Sequence, residues 1–300
     1  MPDLKKLQSL FRDGVNLIDY LKEEVGVNYN RQDVIELSYD IMAGSYNRYL
    51  NEGSLASEKD EYGQYIAEVI NNLCKPEYIL EAGIGEATTF AYVLKYLEAV
   101  PNSYGFDLSW SRLAYGRQLL EQFDHQANLF TADMYNIPCS DNSFDVVFTS
   151  HALEPNGGNE KAILSELLRV TAGWLVLLEP GYELASEEAR NRMERLGYCK
   201  NLPKVITQLG CTVQHHSLIP NSINPLNPTA LTIVKKGKQR QESFSYLCPV
   251  SKTRLKEYSD CYYSDTSLLA YPILSGIPCL KQSDSLIASH FSKFSRSSGI

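Results

Sequence analysis

Apolar residues recur at intervals of three and four positions along the first 73 residues, and this spacing is typical of amphipathic helices. Leu7, Leu10 and Phe11 form an early group of this kind, and the stretch 62–73 places its apolar side chains on one helix face. We therefore predict a helical extension over residues 1–75. It is interpreted as a lid or a dimerisation element, which leaves a homodimer open as the oligomeric state.

The pattern changes at Glu77 to short apolar runs that alternate with helical stretches, as expected for a parallel sheet with both faces covered. The predicted strands lie at 78–81, 103–106, 128–131, 144–149, 174–179, 212–219 and 229–234, and the predicted helices at 87–98, 110–122, 159–171 and 186–209. No helical stretch separates the last two strands, so they are predicted to form a hairpin. The predicted fold class is α/β: a doubly wound, seven-stranded, mostly parallel sheet over residues 76–237, with an N-terminal helical extension and a small C-terminal module.

Composition excludes several classes of protein. Hydrophobic residues make up 44% of the chain and charged residues 21%, which suits a globular core and argues against disorder. No apolar run approaches the roughly 20 residues that span a bilayer, and no leader-like segment opens the sequence. We therefore expect a soluble, cytoplasmic protein without a membrane partner. Seven cysteines without disulfide-like spacing are interpreted as reduced thiols.

The formal net charge of -8 gives no general attraction to phosphate backbones. A local exception is the segment from Lys235 to Lys256, where seven lysines and arginines are opposed only by Glu242. We interpret this basic cluster as a solvated linker in preference to a binding stripe. A nucleic-acid partner therefore stays an alternative and is not favoured.

A glycine-containing turn follows the first predicted strand. It has the spacing acid-x-Gly-x-Gly-x-small, met by Glu81, Gly83, Gly85 and Ala87, and only glycine lets a backbone approach a ligand closely. A dinucleotide site would require a third glycine where Thr88 stands, and an acid such as Glu81 is unusual at a pyrophosphate-binding turn. The spacing instead resembles the first motif of class I S-adenosylmethionine-dependent methyltransferases.

Two further motifs follow in the order that this family shows. Asp107 ends the second predicted strand, where a carboxylate can accept hydrogen bonds from both ribose hydroxyls of an adenosine cofactor. Asp133 and Met134 precede the run Ile137 to Val147, which resembles the corresponding stretch of ubiquinone-biosynthesis-type methyltransferases. The resemblance covers roughly residues 77–236, and the ordered set of three motifs is more specific than any single glycine turn.

The resemblance implies S-adenosyl-L-methionine as the cofactor and a contact for each of its parts. Its ammonium group would meet Glu81, its ribose would meet Asp107, and its adenine amino group would meet Asp133. The two glycines would make room for the methionine part. The complete set of predicted cofactor-binding residues is Glu81, Gly83, Gly85, Asp107, Leu108, Asp133, Met134 and Ser150.

Residues after the fourth predicted strand are the candidates for chemistry, because methyl transfer needs an aligned nucleophile and, for a hydroxyl or ammonium acceptor, a base. His151 is suited to base work near neutral pH, and Glu154 would orient it or bind the acceptor. Both are predicted as catalytic residues, with a simple loop anchor as the alternative for His151. The predicted substrate-binding residues are Tyr39 and Tyr46, placed in one helix, with Asn156, Glu179 and Tyr182.

Two features near these strands have structural interpretations. The turn at 221–229 is rich in proline and asparagine and is interpreted as a rigid turn, with a substrate-side wall as the alternative. Asp145, at the entry of the fourth strand, is interpreted as a structural residue that holds a loop through hydrogen bonds to backbone groups.

A separate module is predicted over residues 243–283, followed by a tail at 284–300. The runs 247–252 and 270–280 resemble the zinc-ribbon-like activator subunits of tRNA and release-factor methyltransferases. Ser251 replaces the second cysteine of their C-P-x-C knuckle, and a structural zinc site requires four ligands. We therefore predict a module without metal that docks on the main domain, with a zinc site formed by Cys248, Cys261, Cys279 and His290 as the alternative.

Together these motifs predict an S-adenosylmethionine-dependent methyltransferase that acts on a small-molecule or sugar-containing acceptor. One alternative is methylation of RNA or protein, with the C-terminal module binding substrate or partner. Another is a non-catalytic scaffold that only binds the cofactor. A nicotinamide dehydrogenase is the weakest option, because Thr88 breaks the dinucleotide motif.

Overall fold

Helices fill the chain ahead of the first strand in the computed structural model, which describes residues 2–27, 29–51, 56–220, 224–241 and 244–294. Their bounds are α1 (Leu4–Arg12), α2 (Leu17–Val25), α3 (Gln32–Ile41), α4 (Ser45–Asn51) and α5 (Ala56–Leu73). The first three pack around Leu7, Leu17 and Leu21. The last buries Ile66 and Ile70 in the core of the sheet domain.

The central sheet of the described residues has seven strands: β1 (Tyr78–Ala82), β2 (Asn102–Asp107), β3 (Asn128–Thr131), β4 (Phe144–Ser150), β5 (Thr171–Pro180), β6 (Thr212–Leu218) and β7 (Thr229–Lys235). Their order is β3-β2-β1-β4-β5-β7-β6. The first five run parallel, and β7 pairs antiparallel with both β5 and β6. The predicted fold class, a mostly parallel seven-stranded α/β sheet with N-terminal helices, is confirmed.

Both faces of the sheet are buried. In β1, Leu80 belongs to the core on one face and Ile79 to the core on the other, and Val147 and Val146 of β4 divide in the same way. Fully burying one aliphatic side chain contributes roughly 1.5–3 kcal/mol. The strand order reverses between β1 and β4, so polar groups for a ligand are expected at the carboxyl ends of these strands.

The helices that cover the sheet are α6 (Phe90–Tyr96), α7 (Trp110–Gln122), α8 (Glu160–Val170), α9 (Glu187–Leu196) and α10 (Leu202–Gln208). The single helix predicted at 186–209 is wrong. Gly197 ends α9 with a left-handed φ of 69°, and Asn201 precedes α10 with a φ of 59°. A right-handed helix does not continue through such residues.

The placement of Tyr39 and Tyr46 in one helix is also wrong. Tyr39 belongs to α3 and Tyr46 to α4. Between the two helices Gly44 has a φ of 89°, and a Cβ atom there would lie 2.7 Å from the ring of Tyr115. The chain therefore turns sharply at Gly44, which the apolar pattern does not reveal.

After β7 the chain forms a smaller antiparallel sheet from β8 (Lys256–Glu257), β9 (Cys261–Ser264), β10 (Leu269–Leu274), β11 (Ile277–Pro278) and β12 (Leu286–Ile287), followed by α11 (Phe291–Phe294). Leu280 N donates to Thr131 O at the edge of the large sheet, at 3.1 Å. Tyr246 packs on Phe130 with 5.1 Å between ring centroids. The segment 284–294, predicted as tail, contributes β12 and α11, while residues 295–300 lie outside the described part.

Cys248, which precedes the small sheet, has polar neighbours within the protein. Cys248 Sγ lies 3.2 Å from Ser267 Oγ and 3.3 Å from Tyr271 Oη. Among the described residues, no group of three or more His, Cys, Asp or Glu side chains is placed to hold a metal ion. The similarity to activator subunits stays a prediction. Within the same ranges, every helix is too short or too polar to cross a membrane.

Candidate functional site

A cavity of about 360 Å³ opens at the carboxyl ends of β1, β2, β3 and β4, beneath helices α3 to α5. We call it the first cavity. The predicted site residues that line it are Tyr39, Tyr46, Glu81, Gly83, Asp107, Leu108, Asp133, Met134, Ser150, His151, Glu154 and Asn156. Gly85, Glu179 and Tyr182 do not line it.

The turn after β1 runs close to the loop after β4. Gly83 has a φ of 74° and Gly85 a φ of 56°. Gly83 N donates to Phe106 O at 2.9 Å, and Gly85 N donates to Asp107 Oδ2 at 3.0 Å. A Cβ atom at Gly83 would lie 2.4 Å from Ala152 Cβ. Only glycine therefore permits this approach of the two loops.

Glu81 is a buried carboxyl group at the end of β1 with unused hydrogen-bonding capacity. It is 2% exposed, and among the described residues Glu81 Oε2 has no hydrogen-bond partner. Burial raises the pKa of Glu81 well above its usual value, and the charge of nearby Lys59 offsets only part of this effect. A cationic donor in the cavity would satisfy the free oxygen.

Lys59 of α5 brings an ammonium group to the same cavity, and the sequence analysis does not identify it. Its Nζ lies 3.4 Å from Thr89 Oγ1 and 5.6 Å from the centroid of the Tyr62 ring. The ion pairs formed by the described residues do not include Lys59. Burial lowers the pKa of Lys59.

Asp107 ends β2 and is held by backbone donors. Its Oδ2 accepts from Gly85 N and its Oδ1 from Ser109 N, both at 3.0 Å. Each carboxylate oxygen can accept a further hydrogen bond. The side chain therefore keeps the capacity to accept two hydroxyls of a ligand in the cavity.

Arg112, also missed from the sequence, links Asp107 to the N-terminal helices. Arg112 Nη1 lies 3.9 Å from Asp107 Oδ2. Its guanidinium lies 4.9 Å from the ring centroid of Tyr39 and 5.3 Å from that of Tyr46. The two tyrosines thus stabilise a half-buried cation as well as lining the cavity.

Leu108, Asp133 and Met134 form a further part of the wall. Asp133 Oδ1 accepts from the backbone N–H of Tyr135 at 2.8 Å. Lys281, from the C-terminal part of the chain, donates to Leu108 O at 3.0 Å and pairs with Glu36 of α3, another lining residue. A residue far along the sequence therefore ties together two parts of the cavity rim.

His151 lies in the loop after β4 within a chain of hydrogen bonds. Its Nδ1 lies 2.7 Å from Glu154 Oε2, and its Nε2 lies 2.8 Å from Thr229 Oγ1. Asn227 Nδ2 donates to the same Glu154 oxygen at 2.9 Å. Burial raises the pKa of Glu154, but the hydrogen bonds and charge of His151 and the hydrogen bond of Asn227 outweigh it, so this pKa lies below its usual value. An ionised Glu154 favours a proton on Nδ1 and leaves Nε2 as the basic nitrogen.

A second cavity of about 570 Å³ adjoins the first and shares Lys59 and His151 with it. Its other lining residues are Glu58, Glu61, Tyr62, Tyr65, Ile219, Pro220, Asn224, Asn227 and Thr229. Residues 224–229 of the proline-rich turn thus contribute a wall, whereas 221–223 lie outside the described residues. His151 therefore stands at the junction of two cavities.

Glu179 and Tyr182 lie outside both cavities. Glu179 is 1% exposed, and its Oε1 accepts from Ala152 N at 3.0 Å. Burial raises the pKa of Glu179 to about 7. Tyr182 Oη donates to Glu194 Oε1 at 2.6 Å. Glu179 thus supports the loop after β4 and Tyr182 contacts α9. The substrate-binding role predicted for both stays a prediction.

The remaining site residues have local hydrogen bonds. Ser150 Oγ lies 3.1 Å from Tyr62 Oη. Asn156 Oδ1 accepts from Tyr135 Oη at 3.2 Å. Asp145 Oδ2 accepts from two backbone N–H groups at the start of β1, both at 2.9 Å, in agreement with its structural interpretation.

The chain is similar to known methyltransferases in part of its sequence and in its fold. A family model described as a methyltransferase domain matches residues 79–173. Magnesium protoporphyrin IX methyltransferase from Synechocystis PCC 6803, solved with bound SAH, is 12% identical, covers 70% of this chain and 100% of its own, and superposes with a TM-score of 0.51. A SAM-dependent methyltransferase from Aquifex aeolicus is 15% identical, covers 64% of this chain and 97% of its own, and has a TM-score of 0.47.

At these identities the solved structures bear on the fold alone, and the first of them supports it. The match to the methyltransferase domain spans β1 to the start of β5, and so includes the strand ends that line the first cavity. The enzyme class predicted from the sequence, a methyltransferase, is therefore confirmed for the domain over residues 79–173.

Proposed function

We propose that the protein transfers the methyl group of S-adenosylmethionine to a hydroxyl or amine of a small molecule that occupies the second cavity. The main support is that three carboxyl side chains from separate strand ends, Glu81, Asp107 and Asp133, line one cavity. His151 adds a base at the junction of that cavity with its neighbour.

The side chains of the first cavity fit the cofactor. The unpartnered oxygen of buried Glu81 would accept from the ammonium group, and Asp107, fixed by backbone donors, would accept from the ribose hydroxyls. Asp133 would accept from the adenine amino group, with Leu108 and Met134 against the ring. The bound cofactor would supply an electrophilic methyl group on a positively charged sulfur.

His151 would act as the base. Since Nδ1 faces Glu154, Nε2 can exchange its contact with Thr229 Oγ1 for a proton of the acceptor. The acceptor oxygen or nitrogen would bond to the methyl carbon as the carbon–sulfur bond breaks, and its proton would pass to Nε2. Ionised Glu154 would stabilise the imidazolium. Such base assistance contributes roughly 10²- to 10⁴-fold.

The second cavity suits an acceptor that combines an apolar part with polar groups. Tyr62, Tyr65 and Ile219 offer apolar surface, and Asn224 and Asn227 offer amide groups. Its volume of about 570 Å³ lies within the range of roughly 300–1,000 Å³ that is usual for small-molecule sites.

Methylation of RNA is not favoured, because much of the basic cluster between Lys235 and Lys256 is engaged within the protein. Lys236 Nζ donates to carbonyl oxygens at the end of α8. Arg240 Nη2 donates to Glu77 Oε2 at 2.6 Å. Such cations contribute less to phosphate binding than unpaired ones. Glu242 lies outside the described residues.

Titration calorimetry with S-adenosylhomocysteine and with NAD tests cofactor binding at this cavity. We expect S-adenosylhomocysteine to bind and NAD not to bind. Asp107→Asn should weaken the binding of S-adenosylhomocysteine roughly tenfold or more. Asp141 is an exposed ion-pair partner of Arg169, so Asp141→Asn should leave this affinity unchanged. Binding of NAD alone would overturn the proposal.

Methyl-labelled S-adenosylmethionine tests the acceptor class. The protein is incubated with a cell extract that is then separated into small-molecule, RNA and protein fractions. We expect enzyme-dependent label in the small-molecule fraction. Label confined to RNA or protein would contradict the proposed acceptor class, and no incorporation into any fraction would favour a non-catalytic scaffold.

A further inference from the structure

Lys59 and Glu81 are groups of opposite ionised charge that line one cavity, and the ion pairs of the described residues do not join them to each other. Glu81 Oε2 has no hydrogen-bond partner among the described residues. Lys59 Nζ has a long contact of 3.4 Å with Thr89 Oγ1 and belongs to none of the ion pairs of the described chain. A charge withdrawn from water is costly unless it is paired. Each side chain therefore requires a counter-charge that no contact among the described residues supplies.

The titration behaviour of the two groups agrees with this geometry. Burial raises the pKa of Glu81 and lowers the pKa of Lys59, so it favours the neutral form of both. The charge of each group opposes the effect of burial on the other. A ligand with an ammonium and a carboxylate would restore both charges at once.

We propose that Lys59 binds the carboxylate of the cofactor's amino-acid group while Glu81 binds its ammonium group, so that the pair selects a zwitterion. This inference rests on the proposed function and adds Lys59 as a specificity-determining residue. Because Lys59 lies on α5 and Glu81 lies near the end of β1, the amino-acid group would also connect the N-terminal helices to the sheet.

Lys59 lines the second cavity as well, so its ammonium group has another potential partner, an acidic acceptor. The two roles lead to different expected affinities for adenosyl ligands when no acceptor is present. A lysine that binds the cofactor changes the affinity of adenosyl ligands alone, whereas a lysine that binds the acceptor does not.

Titration calorimetry of the full chain without acceptor, using three ligands, separates these roles. The ligands are S-adenosylhomocysteine, its decarboxylated analogue, and 5′-methylthioadenosine, which lacks the whole amino-acid group. We expect the wild type to bind S-adenosylhomocysteine roughly 30-fold more tightly than the decarboxylated analogue, and methylthioadenosine to bind weakly.

Variants then assign the preference to Lys59. Lys59→Met should weaken the binding of S-adenosylhomocysteine by a similar factor, roughly 30-fold. It should leave the affinity for the decarboxylated analogue unchanged, so that the preference for S-adenosylhomocysteine disappears. Lys59→Arg should keep most of the preference for S-adenosylhomocysteine, because the positive charge remains. Lys75→Met is the matched control, since Lys75 is exposed and pairs with Glu98; it should change none of the three affinities.

The outcomes distinguish this inference from the proposed function. A wild type that binds the decarboxylated analogue as tightly as S-adenosylhomocysteine overturns the inference, and this measurement does not depend on how any variant folds. A folded Lys59→Met protein that keeps the preference overturns it equally. Failure of all three adenosyl ligands to bind overturns the proposed function itself.

Discussion

His151 Nδ1 lies 2.7 Å from Glu154 Oε2, on the side of the imidazole ring opposite to the nitrogen that contacts Thr229 Oγ1. The carboxylate thereby orients the ring and selects its tautomer. Thr229 lines the second cavity, so the basic nitrogen is directed toward the space assigned to the acceptor.

His151→Asn is expected to lower the rate of methyl transfer roughly 10²- to 10⁴-fold near neutral pH, because the acceptor proton loses its base. The affinity for S-adenosylhomocysteine should change little. The measurement is incorporation of labelled methyl in a single turnover. His215→Asn, on β6 outside both cavities, is the control. An unchanged rate in His151→Asn would contradict the role of His151 as a base and would favour the alternative, a loop anchor.

Gly83→Ala should destabilise the protein for two separable reasons. A left-handed φ costs an alanine about 1–2 kcal/mol, and its Cβ would lie 2.4 Å from Ala152 Cβ. Adding Ala152→Gly to the Gly83→Ala protein should recover only the stability that the collision removes, as measured by urea denaturation. Gly210→Ala is the control, because its φ is 81° and no atom lies within 4 Å of its Cβ. No recovery in the double variant would show that the collision is not the cause.

Lys281 and Glu36 are expected to act as a unit on cofactor affinity. Lys281 is 8% exposed, so removing Glu36 leaves a poorly solvated ammonium group with Asp284, 3.5 Å away, as its remaining charged partner. Removing Lys281 leaves the half-buried Glu36 without its ion-pair partner. Lys281→Met and Glu36→Gln should each weaken the binding of S-adenosylhomocysteine. The double variant should bind it only slightly more weakly than either single variant, with a coupling energy of about 1 kcal/mol. Lys256→Met, which breaks an exposed pair, is the control. Additive losses would contradict the coupling.

Glu179→Gln should change how stability depends on pH. Burial raises the folded-state pKa of Glu179 to about 7 from an ordinary value of 4.5, so the folded protein retains this proton to higher pH than the unfolded chain. Wild-type stability should therefore fall between about pH 4.5 and pH 7. Glutamine removes this loss, and the variant should be more stable than the wild type by roughly 3 kcal/mol above pH 7.

Denaturation of both proteins at several pH values between 4 and 8 checks this prediction. Groups that do not interact with Glu179 titrate equally in the two proteins and cancel in the difference. Glu188→Gln, at an exposed position in the first turn of α9, should stay within about 1 kcal/mol of the wild type at every pH. Parallel curves for Glu179→Gln and wild type would show that Glu179 does not retain its proton.

The apolar pattern predicted the sheet well, because strands buried on both faces must be continuously apolar. The predicted strand at 128–131 and the predicted helix at 110–122 coincide with β3 and α7. The break at Gly197 was not predicted, because it depends on the φ of one glycine and not on the periodicity of its neighbours.

The site was predictable where residues follow directly from strand ends. Glu81 and Asp133 were predicted from the resemblance to methyltransferase motifs, and Asp107 was predicted from its place at the end of a strand. Parallel strands bring such ends to one edge of a sheet. Lys59 was missed, although its spacing from Tyr62 and Ile66 places a charge on an otherwise apolar helix face. Whether that face meets the cavity depends on the packing of α5. Lys281 gave no local signal, since its partners lie far away in sequence.

The bond from Leu280 N to Thr131 O has a consequence for the behaviour of the whole chain. An outermost strand with unused N–H and C=O groups is a template for pairing with other molecules. The small antiparallel sheet occupies part of that template on β3. A chain shortened before residue 244 would therefore expose a pairing surface and become prone to aggregation, even if its cofactor-binding residues remained intact.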